Sequence, residues 1–74
     1  MVKVLVFPQA RRQHVEAVVR DTLADRGGTD ELTLTIVRLH ATRGWSVHAS
    51  GLRDALLERS FSEVIEEALK RAGV

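Results

Sequence analysis

The alternation of apolar and polar positions divides this chain into segments with two different periods. Val2 to Phe7 is apolar on both sides of an extended chain and stops at Pro8, which predicts a buried strand. From about Gln9 or Arg11 to Arg26, apolar residues recur every three or four positions, and a glycine pair follows. This spacing predicts an amphipathic helix that the glycines end.

The clearest strand pattern runs from Glu31 to His40, where leucine and isoleucine alternate with threonine. At Val37 and Leu39 the apolar positions move to the opposite side, which indicates either a bulge or a second apolar face. Ala41 to Gly44 has the length of a short turn, and Trp45 to Ala49 alternates again. We predict that this last segment returns antiparallel to the strand before it.

The pattern after this strand allows two helical arrangements. Ser50 is suited to cap a helix that starts near Leu52, and Ser60 to Glu63 matches a capping box for a second helix. The apolar stripe nevertheless runs through both segments without a change of phase. We favour a break at Ser60, with a single helix from Leu52 to Ala72 as the alternative.

The order strand, helix, strand, strand, helix predicts a single α+β domain over residues 1–74. A helix between two strands makes them parallel through a right-handed crossover, and a tight turn makes the next pair antiparallel. The predicted fold is therefore a two-layer sandwich. It has a three-stranded mixed sheet with helices on one face.

The other face of this sheet is expected to keep apolar side chains. A chain of this size buries only about 60% of the surface that its unfolded form exposes. It has no cysteine for a disulfide, so regular packing or self-association must stabilise it. We therefore predict a homodimer, built as an extended sheet or face to face. The predicted contact residues are Leu5, Phe7, Val37 and Leu39.

Charge and composition narrow the classes of protein. A net charge of +1 is too small for a strongly basic nucleic-acid binder. The N-terminal apolar run is too short for a membrane span, and the lack of cysteine fits a reducing cytoplasm. Arginine greatly outnumbers lysine and asparagine is absent, which indicates a GC-rich genome and hints at a thermophile.

Basic residues nevertheless concentrate in two stretches without Asp or Glu, residues 1–15 and 32–53. A hairpin tip with arginines beside the single tryptophan is suited to contact phosphates, while the ring stacks on a base or receives an arginine. The competing interpretation, which we favour, is that the arginines pair with carboxylates and that Trp45 belongs to the core. The candidate binding residues are Arg38, His40, Arg43, Trp45, His48, Arg53, Arg11 and Arg12.

No set of residues matches an enzyme or a metal site. Three imidazoles can hold a zinc ion, but His14 is predicted on a helix and no carboxylate neighbours His40 and His48. The serines fit helix caps and one strand face, without a nucleophile elbow. Glu66 and Glu67 are predicted on the solvent side of the last helix, as charges that keep the protein in solution. We therefore predict a noncatalytic protein without metal or cofactor.

The segment from Ser60 to Ala72, SFSEVIEEALKRA, resembles the second helix of ribbon-helix-helix repressors and antitoxins. The resemblance covers less than half of the chain, and the first strand and helix have no place in that minimal fold. It implies DNA binding as a minor alternative, with Ser46 and His48 facing the bases.

The sequence thus predicts a small cytoplasmic binding module that contacts nucleic acid or an acidic protein through a basic hairpin. The alternative is a structural or assembly protein that self-associates through the apolar sheet face.

Overall fold

The computed structural model describes residues 2–74 and has its elements in the predicted order. These elements are β1 (Lys3–Phe7), a 3-10 turn (Gln9–Arg11), α1 (Arg12–Leu23), β2 (Thr33–Arg38), β3 (Trp45–Ser50) and α2 (Ala55–Ala72). The strand order is β1-β2-β3, with β1 parallel and β3 antiparallel to β2. Both helices pack on the sheet, which confirms the predicted α+β fold.

The core lies between the sheet and the two helices. Each element contributes side chains from one side, as the apolar periods predict. The most deeply buried are Val15, Val19, Leu32, Leu34, Ile36, Ile65 and Leu69. Burial of an aliphatic side chain of this kind contributes about 1.5–3 kcal/mol to the free energy of unfolding.

The helix boundaries differ from the predictions in two places. α1 ends at Leu23 instead of Arg26, because Leu23 is its last buried side chain and residues 24–28 are exposed. The predicted break at Ser60 is wrong, since α2 is continuous through this residue. An unbroken buried stripe from Phe61 to Leu69 outweighs the local capping signal.

The residue that caps α2 is Asp54 and not Ser50. Its carboxylate accepts hydrogen bonds from the main-chain N–H groups of Leu56 and Leu57, at 2.9 and 3.2 Å. Ser50 is instead the last residue of β3. Leu56 is in the first turn of α2 on the side away from the buried residues Phe61 and Ile65, and it is 77% exposed.

The change of apolar side at Val37 marks a second apolar face and not a bulge. β2 pairs with both neighbours in a continuous register through Val37. Leu34 and Ile36 are buried against the helices, whereas the side chain of Val37 is 41% exposed. Among residues 2–74, neither helix is long and apolar enough to cross a membrane.

Candidate functional site

The sheet face that turns away from the helices is here called the open face. Its three cross-strand rows are Phe7–Val37–Ser46, Leu5–Thr35–His48 and Lys3–Thr33–Ser50. The side chain of Phe7 is 48% exposed and that of Leu5 is 37% exposed. The open face is therefore apolar where it meets the β2–β3 hairpin and polar at its other end.

The two acid-free stretches of the sequence become the sheet, the turns beside it and the first four residues of α1. Residues 2–15 and 32–53 hold six of the eleven Lys and Arg residues and none of the ten Asp and Glu residues. The rest of the chain, mainly the helices and their loops, holds the other five cations and all ten carboxylates. The sheet layer, formed by the strands and the acid-free turns beside them, is therefore positive. The helix layer of α1 and α2 holds six of the ten carboxylates and five cations, and the other four carboxylates lie in the loops.

Three of the candidate binding residues lie together at the hairpin end of the sheet. β1 and β2 are parallel, so Arg11 after β1 lies at the same end as His40 and Arg43 after β2. All three are exposed. Arg53 follows β3 and lies at the opposite end of the sheet, so it is not close to the other predicted binding residues. His48 is exposed in the middle row of the open face.

Trp45 is a core residue, and a base cannot stack on its ring in this conformation. The ring is 7% exposed, and its Nε1 donates a hydrogen bond to the main-chain oxygen of Val74 at 3.1 Å. Arg38 lies over the ring at 4.8 Å and donates to the same oxygen at 2.9 Å. The ring therefore does not stack on a base but receives Arg38, which was the other predicted role, and the favoured alternative of a buried tryptophan is confirmed. Arg38 holds the chain end against the core.

A cleft of about 650 Å³ lies between the hairpin and the end of α2, on the helix side of Trp45. Carboxylates and cations line it together, so it offers no net positive field to a phosphate group. Its charged lining residues are Arg38, Arg43, Lys70, Glu63, Glu66 and Glu67. Leu39, predicted as a self-association residue, also lines this cleft and is 41% exposed.

Two side chains of α2 close the outer edge of β3, and the sequence predictions missed both. The N–H of Val47 donates to Glu66 Oε1 at 3.1 Å, and the N–H of Ala49 donates to Ser62 Oγ at 3.2 Å. We predicted Glu66 as a solvent-facing charge and Ser62 as part of a cap. Their spacing of four residues puts them on one side of a helix, which was the available signal.

The arginines of the sheet layer have few ionic partners. The ion pairs lie on the helices and join Arg12 and Arg20 to Glu16, and Arg71 to Glu67. Within residues 2–74, no carboxylate forms an ion pair with Arg11, Arg43 or Arg53, contrary to the pairing interpretation. Their charges therefore remain available to an anionic partner.

No three His, Asp or Glu side chains of the described chain come together in a way that could hold a metal ion. The comparisons found no protein family, no curated protein and no solved structure that matches this chain. The fold and the open face therefore define a small α+β protein with a mixed three-stranded sheet that has one exposed face.

Proposed function

We propose that this protein is a binding module that holds single-stranded nucleic acid on the open face. The separation of charge carries the proposal: the sheet layer has cations without carboxylates, and the ten carboxylates lie on the helices and in the loops outside it. A polyanion that approaches this molecule is attracted to one layer and repelled by the other. The field orients the nucleic acid toward the open face without a large net charge.

The apolar part of the open face favours a single strand over a duplex. Phe7 and Val37 are neighbours in one row, with Leu5 in the next, and all three are exposed. Unpaired bases have flat apolar faces that stack on an exposed aromatic ring. A duplex would instead place its phosphates against these apolar side chains. Sheets with helices behind them and aromatic rings in front are one of the surfaces by which proteins bind unpaired RNA.

The cations lie on both sides of this apolar part. Lys3 is in the polar row of the open face, and Arg11 and Arg43 are at the hairpin end, where Arg43 also borders the cleft on the helix side. Phosphates of a strand that crosses the face from the hairpin toward Lys3 would lie near these groups, with His48 beside the path. Three contacts of this kind fix the position of the nucleic-acid backbone, but they do not distinguish one base sequence from another.

Self-association through the open face alone is the second candidate, and the exposure of Phe7, Val37 and Leu5 is the observation that favours it. Two copies packed face to face would oppose their positive layers, including both Lys3 side chains. Like charges across an interface disfavour association. We therefore prefer a polyanion as the occupant of the open face.

Fluorescence anisotropy of a labelled, unstructured oligonucleotide of about 12 nucleotides tests this proposal, with RNA and DNA as separate arms. About three phosphate contacts predict that the logarithm of the binding constant falls with the logarithm of salt concentration with a slope of about −2. Poly-glutamate is the control for a purely acidic partner. Absence of binding, a flat salt dependence, or equal affinity for poly-glutamate would contradict the proposal.

A further inference from the structure

The two edges of the sheet differ in how their main-chain groups are satisfied. On β3, side chains of α2 accept hydrogen bonds from the outward N–H groups of Val47 and Ala49. Another strand cannot pair there without displacing Glu66 and Ser62. The edge of β3 is therefore closed by the protein itself.

The outer edge of β1 has no such cover among residues 2–74. The N–H of Lys3 donates to the carbonyl oxygen of Leu32 at 3.0 Å, so the main-chain groups of Lys3 point toward β2. Along a strand these directions alternate, which points the N–H and C=O groups of Val4 and Val6 away from the sheet. An apolar edge of this kind pairs readily with a further strand.

We propose that β1 pairs antiparallel with β1 of a second copy, which joins two sheets into one sheet of six strands. In this register Val4 lies opposite Val6 of the partner subunit, and the two-fold axis passes between the two Leu5 residues. The outward groups of Val4 and Val6 then form the main-chain hydrogen bonds. The main-chain hydrogen bonds of this interface lie at the sheet edge, while the side chains of Lys3, Leu5 and Phe7 that meet across it belong to the open face. The pairing does not depend on the proposed nucleic-acid binding.

The side chains of β1 favour its own copy as the partner strand. In the proposed register Leu5 packs against Leu5 of the partner subunit, which is an apolar cross-strand pair. Lys3 lies opposite the partner's Phe7, so the ammonium group can sit over the ring. Both kinds of contact occur twice, because the interface is symmetric.

The helix layer beside this edge also matches a second copy. A cleft of about 410 Å³ beside β1 is lined by apolar side chains, among them Val2, Val4, Val19 and Leu23. Glu16 and Arg20 also line it and are 3.8 Å apart within the chain, so an exchange of partners between two copies keeps both charges paired. A two-fold axis at β1 brings the partner's α1 alongside, where the carboxylate of one copy can face the guanidinium of the other.

The size of the chain adds a reason for a second copy. A domain of 74 residues without a disulfide usually needs an additional source of stability, and oligomerisation is one of them. Pairing through β1 supplies it and leaves the two open faces side by side. A strand of nucleic acid then has a surface of twice the width.

Cysteine cross-linking tests the register, because the chain has no cysteine of its own. Non-hydrogen-bonded antiparallel pairs have Cα atoms about 4.5 Å apart, which suits a disulfide. Leu5→Cys is therefore expected to form a disulfide-linked dimer on mild oxidation. Thr35→Cys, one strand further in, is the control and is expected to stay monomeric on a denaturing gel. A dimer from Thr35→Cys alone, or from neither variant, would overturn the proposal.

Sedimentation equilibrium provides a second readout that does not depend on oxidation. The native chain is expected to dimerise, and Leu5→Lys to shift the equilibrium to monomer, because it sets two like charges against each other. Ser46→Lys adds the same charge to the same face far from β1 and is expected to keep the dimer. Circular dichroism checks that both variants fold. A native monomer, or equal loss of dimer in both variants, would count against pairing through β1.

Discussion

Phe7→Ala is expected to weaken binding of single-stranded RNA or DNA by about tenfold or more. Stacking of one base on an aromatic side chain contributes about 1–3 kcal/mol to binding, and each 1.4 kcal/mol corresponds to about a factor of ten. Phe7 has the only aromatic side chain in the three rows of the open face, next to Val37 and Leu5. The measurement is the anisotropy titration at a fixed salt concentration.

Two further substitutions at Phe7 separate stacking from packing. Phe7→Tyr keeps the ring and is expected to keep the affinity, whereas Phe7→Leu keeps an apolar side chain and is expected to lose it. Since the side chain is 48% exposed, none of the three changes should unfold the protein. Full affinity in Phe7→Leu would show that the ring does not stack on a base.

Gly51→Ala is expected to lower the free energy of unfolding by about 3 kcal/mol or more. Gly51 has a φ of 92°, where a side chain costs about 1–3 kcal/mol in backbone strain. A Cβ there would also overlap the carbonyl oxygen of Glu31. That carbonyl cannot withdraw easily, because Leu32 is held by hydrogen bonds to Lys3 and to Thr29.

The loss is large beside the total stability of a domain of this size, which is about 4–11 kcal/mol at 0.05–0.15 kcal/mol per residue. Urea unfolding followed by circular dichroism measures it. Gly27→Ala is the matched control, because nothing lies within 4 Å of a Cβ at Gly27 and its φ is not positive. Similar urea midpoints for the two variants would contradict the close contact between Gly51 and Glu31.

The elements of this fold could be predicted from the sequence because each has a clear apolar period. In β2, the buried side chains of Leu34 and Ile36 are two residues apart, as the alternation in the sequence predicts. In α2, the buried side chains around Ile65 follow the helical spacing of the apolar residues. The open face could also be predicted, since the apolar side changes at Val37. Helix ends were less predictable, because Ser50, Ser60 and Asp54 carry similar capping signals and packing of α2 decides among them.

Contacts between distant residues could not be predicted in the same way. Arg38 and Trp45 meet the main-chain oxygen of Val74, which is 36 and 29 residues away along the chain. The alternation of β3 puts Trp45 on its apolar side, but nothing local shows that its Nε1 meets Val74. The roles of Glu66 and Ser62 likewise depend on where α2 lies against β3.

The central claim is that the open face, and not the helix layer, holds the nucleic acid. The chain has two lysines, with Lys3 on the open face and Lys70 on α2, and both are exposed. Each is therefore an internal probe of one layer.

The most direct measurement is the acylation rate of each lysine by mass spectrometry, with and without the oligonucleotide at one protein concentration. Binding on the open face predicts that Lys3 reacts several times more slowly in the complex while the rate at Lys70 is unchanged. Protection of Lys70 alone, or equal protection of both lysines, would contradict the claim.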